Sequence, residues 1–263
     1  MVIDMRDIQK EIQEKLQEIE EKEQVKILHA VESGSRAWGF ASPDSDYDVR
    51  FIYRREPGEY LRLESVRDTI EWQLDEVLDI NGWDIKKTLQ QFHRGNATLF
   101  EWSNSPIVYK TTEEWHQIYE QVKCCFSKKA AINHYYGTAN NTYLQYLTGE
   151  QIKYKKYFYA LRPLLACRYI ENFDRIPPVR FEQLLELSLE SGLREGIDKL
   201  LAMKKVTEEG ILHPPIPVIQ QFIKEELPKQ KEIGTSMPDD HIGDWSLLNQ
   251  VYREYVVRWK ADK

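Results

Sequence analysis

The sequence predicts an α+β protein, in which a sheet-containing N-terminal part is followed by a helical part. Short apolar segments of strand character dominate the first 108 of the 263 residues, and long helical periods follow Pro106. An apolar content of 41% and an aromatic content of 12% are enough for a substantial core. We therefore expect two domains, at residues 1–108 and 109–263.

The elements of the first part follow from residue periodicity and turn residues. Glu, Lys and Gln alternate with apolar residues at helical spacing in residues 4–23, which predicts a leading amphipathic helix. Asp84 precedes the second helical period and is a suitable N-cap for it. Four strands and this second helix are expected at residues 25–32, 47–54, 69–74, 77–81 and 84–92.

The second part is expected to be entirely helical, with breaks at Gly and Pro residues. Pro163 should kink the helix that contains it, because proline removes a backbone hydrogen bond. A break is expected at Pro228, and residues 234–240 have the composition of a loop. The helical periods occupy roughly residues 112–125, 128–147, 153–171, 180–207, 216–227 and 244–260.

Composition excludes several classes of protein. The net charge of −7 argues against a surface that grips nucleic acid over its whole extent. No apolar run reaches eighteen residues and the N-terminus lacks a signal peptide, so a cytoplasmic protein without membrane contact is expected. Cys124, Cys125 and Cys167 suit neither a disulfide framework nor a zinc site. The sequence does not determine an oligomeric state.

The most informative motif is Gly34-Ser35, followed after ten residues by Asp46 and Asp48. Glycine lets backbone N–H groups approach an anion closely. Asp46 and Asp48 are two positions apart on a predicted strand, so their side chains are expected on one face. Paired carboxylates suit Mg²⁺, which prefers one or two carboxylates together with substrate phosphates. These parts indicate a site for a nucleoside triphosphate and a metal.

This constellation resembles the signature of the nucleotidyltransferase superfamily that includes DNA polymerase β. The longer segment from Gly34 to Arg50 is similar to the bacterial YcgL-type predicted nucleotidyltransferases, a group akin to the RNA-ligase-associated (RlaP) proteins. Residues 79–87, 101–106 and 155–162 extend this resemblance over most of the chain. It implies a polymerase-β-type mixed sheet with flanking helices, followed by an all-helical domain that completes the cleft.

The resemblance implies transfer of a nucleoside monophosphate from an NTP to a hydroxyl group, with an RNA end as a possible acceptor in RNA repair. Asp46 and Asp48 would be catalytic metal ligands for Mg²⁺ or Mn²⁺, with two ions expected. Gly34 and Ser35 would hold the leaving phosphates, with Arg36 as an extra cation. Two alternatives remain open: a nucleotide or RNA sensor without catalysis, and an enzyme that transfers AMP to protein.

A third carboxylate should complete the metal site and activate the acceptor hydroxyl, and two residues compete for this role. Asp79 is favoured because its neighbours Leu78 and Ile80 match the family's apolar-Asp-apolar strand. Asp84 lies at a strand-to-helix junction, where helix capping is the alternative. Lys87 follows one turn later and either faces the phosphates or is a surface lysine.

Residues 151–180 are basic, with seven Lys and Arg against two acids, a net charge of +5. Lys155, Tyr159 and Arg162 are spaced to share one helical face, which suits phosphates and a base or ribose. A solvated basic face explains the pattern equally well. The resemblance favours nucleotide binding across from Gly34 and Ser35.

Overall fold

The computed structural model describes residues 7–42, 45–73, 77–204 and 211–257. Its centre is a five-stranded mixed sheet with the order β3-β4-β2-β1-β5, in which only the β2–β4 pair is parallel. Apolar and β-branched residues on both faces of β1 and β2 explain why these strands lie in the interior. The strands are β1 (Val25–Glu32), β2 (Tyr47–Arg55), β3 (Thr69–Gln73), β4 (Leu78–Asp84) and β5 (Val108–Thr111).

Helices cover both faces of this sheet. On one face, the apolar side of the first helix buries Ile12, Leu16 and Ile19 against Ile27 and Phe51 of the strands. The other face carries a second cluster, built on Leu28, Val31 and Ile52, under the remaining helices. The helices of this part are α1 (Ile8–Glu23), α2 (Gly34–Trp38), α3 (Ile85–His93), α4 (Ala97–Ser103) and α5 (Glu113–Val122).

The rest of the chain is mainly helical and has its own core. Ile132, Leu161 and Ile223 belong to the cluster that joins its longest helices. Its last helix returns to the sheet, where Leu248 and Val251 join the second cluster. The elements are α6 (Lys128–Tyr146), a two-strand ribbon of β6 (Ile152–Lys153) and β7 (Leu212–His213), α7 (Lys155–Phe173), α8 (Phe181–Leu184), α9 (Ser191–Lys204), α10 (Pro217–Ser236), α11 (Ser246–Tyr252) and a π-helical turn (Arg253–Val257).

The predicted fold class is confirmed: a mixed sheet with flanking helices precedes a helical C-terminal region. The second part is not entirely helical as predicted, because β5 pairs with β1 and β6 pairs with β7. The four predicted strands and the helix capped by Asp84 are present, with β1 at the predicted bounds. The predicted division at residue 108 coincides with the start of β5, which pairs with β1, and α11 packs beside α3. The assignment of two domains stays a prediction.

Two predictions about the helices are wrong. The period at residues 180–207, of which 205–207 lie outside the described residues, forms two helices, α8 and α9. Residues 185–190 between them are not helical, and Leu185 and Leu187 pack into the helical cluster there, so tertiary packing overrides the helical pattern. Pro228 does not end α10, which continues to Ser236. Leu227 and Gln230 are buried on either side of Pro228, and this packing outweighs the missing backbone bond.

Some expectations lie outside the described residues, including Leu74 of the third strand and residues 258–260 of the last helix. Pro163 lies inside α7, which is assigned as one continuous helix. Within the part of the chain that the structure describes, no helix has the length and apolarity needed to cross a membrane. All three cysteines are free thiols.

Candidate active site

The Gly34 turn connects β1 to α2 and lies directly against Asp48. Gly34 has φ +58°, a left-handed conformation that favours glycine. A Cβ atom at this position would lie 2.2 Å from Oδ2 of Asp48, so a side chain here would collide with the carboxylate. The N–H of Ser33 donates to the Asp48 carbonyl at 2.8 Å, which fixes the turn to β2. The motif therefore places a carboxylate over the first residue of α2.

Asp48 and Asp79 are neighbours on adjacent parallel strands, because the β2–β4 register pairs them directly. Their side chains are 33% and 47% exposed, so both remain accessible from solution. Burial raises the pKa of Asp48, and the carboxylates of Asp79 and Asp46 raise it further, while Arg50 partly offsets the increase. We call the neighbouring carboxylates of Asp48 and Asp79 the carboxylate edge.

Arg50 bridges the carboxylate edge and was not a candidate from the sequence. Its Nη2 donates to Asp48 Oδ1 at 3.1 Å and to Asp79 Oδ2 at 2.8 Å. Its Nη1 donates to the carbonyls of Val49 at 3.0 Å and Asp79 at 3.3 Å. A signal was present in the sequence, because Asp48 and Arg50 are two residues apart within the predicted strand and strand alternation favours one face for them.

Asp46 lies one residue before β2, so strand alternation does not govern its side chain as the sequence predicted. Asp46 is exposed to solvent. Arg36 holds this segment: Nε donates to the Asp46 carbonyl at 3.1 Å and Nη2 to the Ser45 carbonyl at 2.6 Å. The guanidinium also lies 3.6 Å from the centre of the Tyr47 ring. Arg36 therefore closes the loop between α2 and β2.

Glu32 is a fully buried carboxylate behind Asp48. Its Oε1 accepts the Asp48 backbone N–H at 2.8 Å, and its Oε2 accepts the hydroxyl of Tyr109 on β5. Burial raises the pKa of Glu32, and these two hydrogen bonds partly offset that effect. An acid at the end of a mainly apolar strand, two residues before Gly34, is a signal that sequence reasoning missed. Glu32 fixes the backbone from which Asp48 projects.

The carboxylate edge has the donor chemistry that Mg²⁺ and Mn²⁺ prefer, with two partly exposed carboxylates side by side. Asp48 Oδ2 faces Gly34, while Oδ1 accepts from Arg50. Among the described residues, only Asp239, Asp240 and His241 place three ligand atoms within 4.8 Å of one another, so Asp46, Asp48 and Asp79 do not converge that closely. Asp240 already accepts from Ser127 Oγ and the Lys128 N–H at the start of α6.

The helical region contacts the glycine turn through Trp38 of α2. Trp38 Nε1 donates to Glu101 Oε2 at 3.3 Å, and Arg162 Nη1 donates to Glu101 Oε1 at 2.7 Å. The Arg162 guanidinium carbon lies 4.7 Å from the centre of the Trp38 ring, and its side chain is 3% exposed. Arg162 is thus committed to a buried ion pair beneath α2.

Tyr159 and Lys155 also lie on α7, but in more accessible positions. Tyr159 is half-buried and meets the Trp38 ring edge-on, with ring centres 5.6 Å apart. Phe40, in the loop after α2, stacks on Phe158 at 4.9 Å and belongs to the helical cluster. Lys155 is half-buried at the first position of α7. The Trp38-Gly39-Phe40 segment therefore anchors the glycine turn to the helical region.

Asp84 and Lys87 lie at the other end of β4. The β2–β4 register pairs Asp84 with Tyr53, five residues beyond the Asp48–Asp79 pair, or roughly 16 Å along the strand. Asp84 is the N-cap of α3: it accepts the Lys86 N–H at 2.7 Å and the Tyr60 hydroxyl at 2.8 Å. Lys87 pairs with Asp68 at 3.1 Å. The structure does not bring these residues together with the carboxylate edge.

A family model described as "RNA repair pathway DNA polymerase beta family" (RlaP) matches residues 8–254. This chain belongs to that family. A relative in Bacillus subtilis (strain 168), named uncharacterized protein YcgL, is 41% identical over 253 residues, which cover 94% of this chain and 96% of that protein. The resemblance to YcgL-type and RlaP proteins is confirmed.

A solved structure, the nucleotidyltransferase-like protein from Exiguobacterium sibiricum 255-15, matches over 94% of this chain and 80% of its own, at 13% identity and a TM-score of 0.29. The match over residues 8–254 of this RlaP family member spans both the sheet and the helical region. Membership assigns the chain to the polymerase-β-like nucleotidyltransferases.

Proposed function

We propose that this protein is a metal-dependent nucleotidyltransferase that transfers a nucleoside monophosphate from an NTP to the hydroxyl of an RNA end. The observation that carries the proposal is the β2–β4 register, which places Asp79 beside Asp48 next to the Gly34 turn. The family description, which names an RNA repair pathway, supports RNA as the acceptor.

In this proposal the acceptor oxygen attacks the α-phosphate, the bond from the α-phosphorus to the bridging oxygen breaks, and pyrophosphate leaves. Asp46, Asp48 and Asp79 would hold Mg²⁺ or Mn²⁺, which when bound offsets charge on the attacking and leaving oxygens. Asp79, the more exposed of the paired carboxylates, takes the proton of the acceptor hydroxyl. Gly34 and Ser35 present backbone N–H groups to the phosphates.

Residues around this centre position it. Arg36 and Glu32 fix the backbone at Asp46 and Asp48 through the hydrogen bonds given above. Tyr159 and Lys155 lie on the helical side and contribute to nucleotide binding, whereas Arg162 supports Trp38 from below. Asp84 and Lys87 have no role in the proposed reaction, since their partners hold them at the other end of β4.

Incubation with each labelled NTP, Mg²⁺ or Mn²⁺ and a panel of RNA 3′ ends, followed by gel electrophoresis, tests the proposal. Label on RNA supports it, provided that Asp48→Asn abolishes the signal. Label on protein indicates the AMP-transferring alternative. Nucleotide binding by calorimetry without transfer to either acceptor indicates a sensor, and it contradicts the proposed reaction.

A further inference from the structure

Arg50 lies between the carboxylates of Asp48 and Asp79, which stabilise its positive charge. A single nitrogen, Nη2, donates to both Asp48 Oδ1 and Asp79 Oδ2, at 3.1 and 2.8 Å. Two carboxylates on neighbouring strands repel each other, and the guanidinium between them offsets that repulsion. The side chain is 18% exposed, so solvent screens this interaction less than it screens a surface pair.

Arg50 is also held in place independently of the carboxylates. Its Nη1 donates to the carbonyls of Val49 and Asp79, which are part of the β2 and β4 backbones. A planar guanidinium has donors for all four acceptors at once, whereas a lysine ammonium lacks this fork. The arginine is therefore a built-in cation of the carboxylate edge and not a mobile surface side chain.

We propose that Arg50 is a positioning residue that suppresses binding of a free divalent ion at Asp48 and Asp79 and makes metal binding depend on the nucleotide. This inference rests on the proposed function. The guanidinium cancels one of the two negative charges and takes one oxygen of each carboxylate as an acceptor. A triphosphate brings further anionic oxygens, which restore the charge and the ligands that a divalent ion needs.

Mn²⁺ binding measured by electron paramagnetic resonance, with and without a non-hydrolysable NTP, tests this inference directly. Arg50→Gln should bind free Mn²⁺ at least about tenfold more tightly than the wild-type chain, because an adjacent positive charge is removed. The NTP should strengthen Mn²⁺ binding in the wild type by a larger factor than in Arg50→Gln. A merely structural role would not change this ratio.

Arg55→Gln is the matched control, because Arg55 is a partly buried arginine at the other end of β2, where its Nη1 donates to the Glu23 carbonyl at 3.1 Å. It should change the affinity for free Mn²⁺ by less than about threefold, since it lies far from Asp48 and Asp79 and bridges no carboxylates. The double variant D48N/R50Q should lose the gain, which assigns the bound ion to the carboxylate edge. Arg50→Lys, which keeps the charge and loses the fork, gives a second test if Arg50→Gln fails to fold, and it should show a smaller gain.

Equal affinity for free Mn²⁺ in the wild type and the Arg50 variants overturns the inference, as does an equal gain in Arg55→Gln. Failure of the proposed function is distinguishable from these outcomes. A wild type that transfers nucleotide, beside Arg50 variants with unchanged Mn²⁺ affinity, overturns only the role of Arg50. An inactive wild type whose Arg50→Gln variant binds Mn²⁺ more tightly contradicts only the reaction.

Discussion

The two ends of β4 carry the same residue type in opposite circumstances. Asp79 near the start of the strand is half-exposed, and it lies beside Asp48 and Arg50. Asp84 at the last position is buried and fully engaged with the start of α3 and with Tyr60. The difference shows that the elements packed around a carboxylate decide whether it stays accessible from solution. An apolar sequence context alone does not distinguish the two positions.

The largest expected effect is at Asp48, which faces the glycine turn and pairs with Asp79. Asp48→Asn should lower the rate of nucleotide transfer by at least about a thousandfold, because it removes the charged group at the centre of the edge. Asp46→Asn should have a smaller effect, since Asp46 is exposed and precedes the strand. Transfer rates and thermal midpoints of both variants check this, and a fully active Asp48→Asn enzyme would contradict the assignment.

The cationic side chains also differ in burial, and Arg162 is a buried one. Arg162→Ala should lower the free energy of unfolding by about 3 kcal/mol, because it leaves the Glu101 carboxylate, whose side chain is 14% exposed, without its charged partner. The double variant with Glu101→Gln should recover part of this loss. Chemical denaturation of the two single variants and the double variant measures it. Unchanged stability together with weaker nucleotide binding would contradict this structural role. It would support the phosphate contact that the helical spacing of Arg162 predicts.

Matched substitutions of Asp79 and Asp84 test the difference between the two ends of β4. Asp79→Asn should reduce turnover by about a hundredfold, the scale of a lost general base, with little change in the thermal midpoint. Asp84→Asn keeps a side chain that caps helices well, so turnover should stay within about twofold. Rates at saturating NTP for both variants decide between the residues. An inactive Asp84 variant beside an active Asp79 variant would reverse our assignment.

The smallest effect concerns the pH dependence of stability. Burial raises the pKa of Asp84 to about 6, above its ordinary value of 3.8. The folded protein thus binds this proton more tightly than the unfolded chain does, and stability falls as pH rises between these two values. The contribution is on the order of 2 kcal/mol, and it should be absent in Asp84→Asn. Denaturation at pH 4 to 7 compares the two proteins, and identical pH profiles would contradict the buried, proton-binding role.

Much of the sheet could be predicted from the sequence because its strands carry their own signal. β1 and β2 have apolar, β-branched runs bounded by turn residues, so both were located almost to the residue. Several short elements were missed, among them β5, α2, α4 and the β6–β7 ribbon, and the first two show the physical reason. β5 is four residues long and half of it is exposed, so it depends on pairing with β1, and α2 is a five-residue helix stabilised by its contacts with β2 and the helical cluster.

The residues of the candidate site also differ in how well the sequence predicts their positions. Gly34, Asp48 and Asp79 lie where local pattern and family resemblance place them. Arg50 was missed because its partners are set by the register of β2 against β4, which no single segment encodes. Arg162 shares a helical face with Lys155, but its ion pair with Glu101, 61 residues away in the chain, determines that it faces inward. Spacing predicts a shared face, and long-range packing decides whether that face meets solvent.

We expect the Asp48–Asp79 end of the sheet to hold the metal and the nucleotide. Diffraction at the manganese absorption edge from crystals grown with Mn²⁺ and a non-hydrolysable NTP locates both. An anomalous peak should lie at coordination distance, roughly 2 Å, from the carboxylate oxygens of Asp48 and Asp79, with the phosphates against Gly34. A nucleotide beside Asp84 and Lys87, or manganese bound only at Asp239, Asp240 and His241, would contradict it.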